Sequence, residues 1–485
     1  MTKKPLLLIT TLFILLALVL GACQPEATPE ATEAPPAPTE EMEETEEMVE
    51  PTEEMEETEE MVEPTEEMVE TEEMVDLSGQ TVVFWHVWGQ GSAAEGMEKI
   101  ISDFNASNPY GITVEGINQG AQGDLETAVN AGIASGDLPN VSPGFPNSVA
   151  TWYNAGAIAP LNDLISDPTY GLTAEQLDAI YDANLASGTL ADGTQVAMPI
   201  HQSENVLFYN HTWAQELGFA APPATSAEFV EQACAAAAAN LADDNPDNDG
   251  TGGLVHFPGA SNIASWLFAF GGSFLTEDGA GYTMDTPELA AVAGFLNELR
   301  DGGCYFATDS FPNPEFATRQ ALFTTSSTAG IPFQLAAFED AASTDEWGLI
   351  GFPGPDGQLA VNAFGQMIGI FDQNAEANLA AWLWLKHFTS PEIQAEWITY
   401  SAYFPSQSTT EAFLGDYVAA NPIYATGLEL AEFGQSEPNL ASWGAVRGAI
   451  QDAFFAVQEA ASPEDIAAIL ADLQATADEL LAESQ

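Results

Sequence analysis

The sequence predicts an α/β fold, because short runs of β-branched and aromatic residues alternate with amphipathic helical segments from residue 81 onward. A strand is predicted at 81–85, and the helix at 92–105 follows it with its apolar residues on one face. A strand at 112–117, a helix at 125–135 and a short strand at 140–142 continue the alternation. Strands that alternate with helices predict a parallel sheet with crossover helices.

The rest of the chain contains the same two kinds of element. Helices are predicted at 226–241, 287–301, 375–389, 391–401, 443–461 and 463–483, and strands at 206–209, 324–329 and 366–371. The last helix has the clearest start, because Ser462 is a favourable N-cap and Pro463 suits the first helical position.

The first 23 residues have the composition of an export signal. Lys3 and Lys4 precede an apolar run that ends at Leu20, and Gly-Ala-Cys follows. The string LGAC resembles a bacterial lipobox, in which the cysteine becomes the lipidated N-terminus of the mature protein. The alternative is an ordinary signal peptide with a chance cysteine. We expect a lipoprotein signal peptide at 1–23, lipidated at Cys23, that anchors the protein to the membrane surface.

The net charge of −67 is unevenly distributed along the chain. Residues 24–75 hold 22 of the 74 acidic residues and no Lys or Arg, in near-repeats of EEMEETEEMVEPT. This composition predicts a disordered acidic tether rich in Glu, Met, Thr and Pro, with a transient helix as the alternative. Residues 76–485 hold the other 52 acids and only five Lys or Arg. Repulsion from phosphates excludes nucleic-acid binding, and the scarcity of cations disfavours an anionic ligand.

Eight segments follow one another along the rest of the chain: FWHVWGQG (84–91), FNASNP (104–109), AGIASGDLPNV (131–141), WYNAGAIAPLNDLI (152–165), NVLFYNHTWAQELGF (205–219), LWLKHFTSPE (383–392), TYSAYFPSQ (399–407) and ASWGAVRGAI (441–450). In this order they resemble the extracellular solute-binding proteins of the sugar-binding, maltose-binding-like family, which supply ABC importers. The resemblance covers the chain from about residue 81 to its end.

The resemblance implies a type II periplasmic-binding-protein-like fold, in which two discontinuous lobes are joined by a three-segment hinge and close on a ligand. Mapped onto this chain, lobe one comprises 77–205 and 359–405, and lobe two comprises 206–357 and 406–485. The chain would then cross between the lobes near 201–205, 352–358 and 404–407.

A sugar site combines aromatic surfaces, which pack on the C–H faces of the ring, with side chains that bind hydroxyl groups. Residues of both types lie at predicted strand ends, at the crossings and at positions that resemble the family's ligand contacts. The predicted ligand-binding residues are Trp85, His86, Trp88, Gln119, Phe145, Asn147, Ser203, Glu204, Trp266, Phe270, Phe333, Tyr403 and Trp443. Packing in the core is the alternative for each of them.

The resemblance implies a monomeric, non-enzymatic receptor on the extracellular face of the membrane. It would capture a neutral mono- or oligosaccharide and deliver it to an ABC permease. One alternative is a receptor for glycerol 3-phosphate or another polyol phosphate, since Arg447 lies near the predicted site; another is an exported glycoside hydrolase.

No catalytic residue or cofactor is expected, because the sequence has no GxSxG, HExxH or P-loop motif. No metal site is expected, because the five histidines lack metal-ligand spacing. Once Cys23 is lipidated, Cys234 and Cys304 are the remaining cysteines of an exported chain. They form either a disulfide or a pair of buried free thiols.

Overall fold

The computed structural model describes residues 75–190, 192–256, 259–308 and 311–484. The predicted signal peptide with Cys23, and the predicted tether up to residue 74, lie outside the described residues.

In chain order, the strands are β1 (Thr81–His86), β2 (Thr113–Asn118), β3 (Val141–Gly144), β4 (Met198–Pro199), β5 (Ser203–Asn210), β6 (Gly252–Val255), β7 (Tyr305–Phe306), β8 (Ala321–Ser327), β9 (Trp347–Ile350), β10 (Phe352–Pro353), β11 (Leu359–Phe364), β12 (Met367–Ile370) and β13 (Gly434–Ser436).

The helices are α1 (Gly91–Ser107), α2 (Gln122–Ser135), α3 (Pro146–Asn154), α4 (Asn162–Ser166), α5 (Ala174–Ala179), α6 (Asp182–Ser187), α7 (His211–Glu216), α8 (Ser226–Ala242), α9 (Ala260–Ala269), α10 (Pro287–Asp301), α11 (Asn313–Ala317), α12 (Ile331–Asp340), α13 (Ala375–Phe388), α14 (Pro391–Ser401), α15 (Gly415–Ala420), α16 (Pro422–Leu430), α17 (Trp443–Glu459) and α18 (Pro463–Glu483). The starts of α10 and α18 coincide with prediction because the local signal is strong: the side chains of Thr286 and Ser462 each accept a hydrogen bond from a backbone N–H of the first turn.

The first sheet has five strands in the order β2-β1-β3-β12-β4. The predicted parallel arrangement is present where β1 pairs with β2 and with β3. In contrast, β12 runs antiparallel to β3 and to β4. The difference arises because the chain reaches β12 from the second sheet and not through a crossover helix. The first sheet and the helices packed on it are called lobe one.

The second sheet has eight strands, with β10, β11, β5, β8, β6 and β7 in order, and with β13 and β9 attached to β11 and β5. Its centre is β5, all eight residues of which are buried. This sheet and the helices packed on it are called lobe two. Both sheets belong to one compact unit.

Strand pairing places the second interlobe crossing between β11 and β12, at 365–366, and not near 352–358 as predicted. Ser203 pairs with Phe364 and Asn205 with Asn362, so the start of β5 and the whole of β11 belong to the second sheet. The predicted borders assigned these residues to lobe one. The correction has a physical reason: a strand's own sequence shows that it is buried but not which distant strand it pairs with.

The third crossing is tied to the first by hydrogen bonds. The backbone N–H of Gln202 donates to the carbonyl of Phe404 at 2.9 Å, and the N–H of Phe404 donates to the carbonyl of Gln202 at 2.7 Å. Two of the chain segments that connect the lobes therefore run side by side.

Each lobe has its own apolar core. In lobe one, Phe84 of β1 packs with Trp384 and Phe388 of α13. In lobe two, Trp266 of α9 lies between Phe229 and Phe352 at ring-centroid distances of 5.1 and 4.9 Å. Rigid cores of this kind let each lobe move as one body.

Cys234 of α8 and Cys304, just after α10, are joined by a disulfide, with their Cα atoms 4.6 Å apart. Of the two alternatives for these cysteines, the structure therefore has the disulfide. The bond connects α8 to the segment between α10 and β7 and belongs to the core of lobe two.

Candidate functional site

A cavity of about 400 Å³ lies between the two lobes. Lobe one supplies the first turns of α2 and α3 and the end of α6, and lobe two supplies the start of α9, the end of β11 and the segment from β13 into α17. Its lining residues are Gln122, Glu126, Phe145, Pro146, Asn147, Ser148, Ala183, Asn184, Ser187, Pro199, His201, Gln202, Ser261, Ala363, Phe364, Gly365, Gln366, Met367, Ser436, Glu437, Pro438, Asn439, Trp443, Gly444 and Arg447.

The local sequence explains why the lobe-one wall presents side chains to the cavity. The chain leaves β3 at Gly144 and starts α3 at Pro146, whose fixed φ suits the first turn of a helix. The turn from β3 into α3 therefore places Phe145 and Asn147 at the carboxyl end of a parallel strand. Ligands of open α/β sheets bind at this end.

Glu437 is the centre of a hydrogen-bond network in the lobe-two wall. Its Oε1 accepts hydrogen bonds from Ser261 Oγ at 2.8 Å and from Asn362 Nδ2 at 2.7 Å. Its Oε2 accepts a hydrogen bond from Trp443 Nε1 at 2.8 Å and a charge-assisted one from Arg447 Nη1. Four donors from three different segments thus hold one carboxylate.

The network sets the charge of this wall. Burial acts to raise the pKa of Glu437, but the charge of Arg447 and hydrogen bonds from Arg447, Asn362 and Ser261 outweigh it, so the pKa is lowered. Glu437 is therefore ionised at neutral pH and balances the charge of Arg447. A further bond runs from Arg447 Nη2 to Ser261 Oγ at 3.0 Å.

The lobe-one wall carries a second carboxylate. Glu126 Oε1 accepts hydrogen bonds from Gln122 Nε2 at 3.0 Å and from Ser148 Oγ at 2.9 Å. Gln122 Oε1 in turn accepts from Gln366 Nε2, which lies on the crossing into β12, at 2.6 Å. Amide and hydroxyl groups thus hold Glu126.

Three aromatic side chains line the cavity. Phe145 and Phe364 meet edge to face with their ring centroids 6.2 Å apart. Trp443 is 2% exposed and packs on Phe274 and Tyr282 in the core of lobe two, so it reaches the cavity with only part of its ring.

The two lobes contact each other at the mouth of the cavity. Asn439 Nδ2 donates a hydrogen bond to the carbonyl of Ser187 at 3.2 Å. A Cβ atom added to Gly444 would lie 3.2 Å from Asn147 Nδ2. These contacts join lobe two to lobe one, so the structure has the lobes close together around the cavity.

Of the predicted ligand-binding residues, the structure brings Phe145, Asn147 and Trp443 together in the cavity. Trp88 and Tyr403 lie instead beside the crossings, around His201. The ring of Tyr403 stacks on that of His201 with centroids 3.5 Å apart, and Trp88 Nε1 donates to the Tyr403 hydroxyl at 3.5 Å. Burial lowers the pKa of His201 to about 3, with a hydrogen bond to Gln366 acting in the opposite direction.

The other lobe-one residues of the prediction lie away from the cavity. His86 lines a surface groove between α1 and β2, and burial lowers its pKa to about 4. The backbone N–H of Gln119 donates to the carbonyl of His86 at 2.8 Å. Trp85 is half-buried against an apolar cluster that includes Leu125.

The lobe-two residues of the prediction are also placed outside the cavity lining. Ser203 and Glu204 are buried within β5, Trp266 lies in the interior of α9, and Phe270 packs on the core at the end of that helix. Phe333 in α12 is 47% exposed. Residues 260–269, for which no element was predicted, form a helix.

Sequence reasoning missed most of the polar lining, including Glu126, Asn184, Gln366 and Glu437. A weak signal existed for Glu437, since it precedes Trp443 and Arg447 in a segment between two predicted helices. Its partners Ser261 and Asn362 come from sites 176 and 75 residues away, which no local pattern reports.

Within the described ranges, no three His, Cys, Asp or Glu residues are grouped so as to hold a metal ion. None of the helices in those ranges is both long and apolar enough to cross a membrane.

Comparisons with known proteins identify the family. The family model described as bacterial extracellular solute-binding protein matches residues 99–426, which is more than half of the chain. The chain therefore belongs to this family, and the resemblance predicted from its sequence is confirmed at that level. No curated protein matches the chain.

Solved structures show the same fold at low sequence identity. The cyclic α-maltosyl-1,6-maltose-binding protein of Arthrobacter globiformis is 24% identical, with 83% of this chain and 99% of that chain covered and a TM-score of 0.67. An ABC substrate-binding protein of Listeria monocytogenes in complex with cycloalternan is 18% identical, with 83% and 99% covered and a TM-score of 0.71. UgpB of Mycobacterium tuberculosis in complex with glycerophosphocholine is 19% identical, with 84% and 99% covered and a TM-score of 0.71.

Proposed function

We propose that this extracellular solute-binding protein is a lipid-anchored, non-enzymatic receptor that captures a neutral mono- or oligosaccharide and delivers it to an ABC permease. One observation carries the proposal. The interlobe cavity presents aromatic, amide and hydroxyl groups, and its only Lys or Arg within the described part of the chain, Arg447, is paired with Glu437.

The size and chemistry of the cavity support a sugar. Its volume of about 400 Å³ lies within the range of roughly 300–1,000 Å³ typical of small-molecule sites. Phe145, Phe364 and Trp443 offer apolar surface to the C–H groups of a sugar ring. Asn147, Asn184 and Gln366 offer groups that both donate and accept hydrogen bonds, as sugar hydroxyls do.

The position of the cavity supports a receptor that works by closure. Its two walls come from different lobes, so a ligand that contacts both stabilises the closed arrangement more than an open one. Two proteins of similar fold have been solved in complex with cycloalternan and with glycerophosphocholine, which supports a solute of this kind. As a receptor, the protein would act as a monomer, held on the outer face of the membrane by the lipid on Cys23.

A glycoside hydrolase is less well supported. Such an enzyme needs a carboxylic acid with a raised pKa to protonate the leaving group. The pKa of Glu437 is lowered, and its two oxygens already accept hydrogen bonds from four side chains. A polyol-phosphate receptor is the second candidate, because Arg447 lines the cavity and a structurally similar protein binds glycerophosphocholine.

The test is a thermal-shift screen of the mature protein with neutral sugars, from monosaccharides to cyclic and linear oligosaccharides, and with glycerol phosphates, followed by calorimetry. We expect a neutral sugar to raise the melting temperature and to be recovered unchanged. Phe145→Ala should weaken binding by about tenfold through lost aromatic contact. The matched control is Phe311→Ala, because Phe311 is 84% exposed and lies outside the cavity. A screen in which only glycerol phosphates bind, or in which an oligosaccharide is hydrolysed, would refute the proposal.

A further inference from the structure

We infer that Glu437 makes the cavity selective for uncharged ligands, because it occupies the position that an anionic group of a ligand would take. The inference rests on the proposed function and goes further, since it names the residue that separates neutral solutes from phosphorylated ones. Arg447 alone would favour a phosphate, and Glu437 removes that preference because it pairs with Arg447 and neutralises its charge.

The donors around Glu437 are those of an anion site. A guanidinium from Arg447, an indole N–H from Trp443, an amide N–H from Asn362 and a hydroxyl from Ser261 all converge on one carboxylate. Arginine and hydroxyl donors arranged in this way bind phosphate and carboxylate groups of ligands. Here the bound anion is the carboxylate of Glu437, whose side chain is only 10% exposed.

An anionic ligand would meet two obstacles in this cavity. It would have to displace Glu437 from donors that already hold it, and a charge left without its partner in a buried site is costly. It would also be repelled by Glu126 on the opposite wall. A neutral hydroxyl needs neither step, because it can bind to the amide groups of Asn147, Asn184 and Gln366 that line the cavity.

The substitution Glu437→Gln removes the charge with little change in shape. The amide oxygen can still accept from Trp443 and Arg447, and the amide nitrogen then faces Ser261 and Asn362. Asn362 Oδ1 is buried and accepts no hydrogen bond in the structure. After a flip of its own amide, Asn362 can therefore accept the new N–H, and Ser261 Oγ can do the same by rotation.

The experiment measures binding of glycerol 3-phosphate and of the neutral sugar identified in the screen, by calorimetry on the full mature protein. The variants are Glu437→Gln, the matched control Glu126→Gln, and the double variant Glu437→Gln/Arg447→Gln. We expect Glu437→Gln to bind glycerol 3-phosphate at least about tenfold more tightly than the unsubstituted protein, because the charge of Arg447 then has no anionic partner in the protein and the phosphate displaces only a neutral amide. This gain should fall as salt increases.

The controls distinguish selectivity that is due to Glu437 from a general effect of the net charge. Glu126→Gln changes the net charge equally but frees no cation, so it should gain much less. The double variant should lose the gain. Equal gains in Glu126→Gln and Glu437→Gln, or a folded Glu437→Gln protein with no gain, would overturn the inference. If the unsubstituted protein binds no neutral sugar, the proposed function fails, whereas the comparison of variants with glycerol 3-phosphate still tests the role of Glu437.

Discussion

A buried glutamate in the central strand of lobe two leads to a specific prediction about pH. Glu204 lies in β5 at the crossing between the lobes and is 3% exposed. Its Oε2 is buried without a hydrogen-bond partner, and burial raises its pKa from 4.5 to about 8. The ionisable groups near it on the packed elements are Tyr424, whose phenol interacts with the Glu204 charge, and, around that phenol, Tyr417, Tyr181 and Glu411. No cation is among these groups to favour the ionised form.

The sign of the effect follows from the direction of the shift. A raised pKa means that the folded state holds the proton more tightly than the unfolded state. The proton on Glu204 therefore stabilises the folded state. This stabilisation is fully present below the unfolded pKa of about 4.5 and is lost as pH rises through about 8. Since one pKa unit corresponds to about 1.4 kcal/mol, the loss between these limits is at most roughly 5 kcal/mol, and relaxation of the site reduces it to a few kcal/mol.

The perturbation is Glu204→Gln, which cannot ionise. Its buried amide costs about 1–3 kcal/mol at every pH. The informative quantity is therefore how the difference in the free energy of unfolding between the variant and the unsubstituted protein changes with pH. We expect that difference to move in favour of the variant by a few kcal/mol between pH 5 and pH 9. Urea unfolding followed by tryptophan fluorescence at several pH values measures it. The matched control is Glu231→Gln on the exposed face of α8.

Two results would refute this reasoning. If the stabilities of Glu204→Gln and unsubstituted protein ran parallel from pH 5 to pH 9, Glu204 would not titrate in this range. If Glu231→Gln showed the same pH-dependent change, the effect would come from the high overall negative charge and not from burial of Glu204.

Three further predictions concern the disulfide, the closure of the lobes and the anchor. Replacing both Cys234 and Cys304 by Ser should lower the free energy of unfolding by roughly 4 kcal/mol, given their separation of 70 residues; an unchanged urea midpoint would show that the bond contributes nothing. Gly444→Val should weaken ligand binding without lowering the melting temperature of the free protein, because its Cβ would lie 3.2 Å from Asn147 Nδ2 across the cleft; unchanged affinity would contradict a closure at this contact. Cys23→Ser should abolish fatty-acid labelling and release the protein from cells, and equal labelling of both forms would disprove lipidation.

The sequence predicted much of the fold wherever the signal is local. The helices at 287–301, 391–401 and 463–483 have the predicted bounds, because proline at the first helical position and capping residues act within one turn. The short strands β6 and β7 and the pairing of β11 with β5 were missed. Their identity depends on partners that are distant in sequence, and burial on both faces removes the alternation that marks a strand.

The residues of the candidate site were likewise predicted only in part. Phe145 and Asn147 were found because they follow a recognisable strand, whereas Trp85, Trp88 and Trp266 are equally aromatic but lie outside the cavity. Aromatic residues serve cores and ligand sites alike, so residue type alone does not separate the two uses.

The sequence alone determined the family, the α/β class and the scarcity of cations, because these depend on composition and on the order of short segments. The sequence also placed Arg447 near the predicted site, but only the tertiary structure decided that Glu437 neutralises it. The same carboxylate is held in place by Ser261 and Asn362, which are 176 and 75 residues from Glu437. The charge of the binding site is thus a property of long-range packing, and the net charge of −67 contains no information about it.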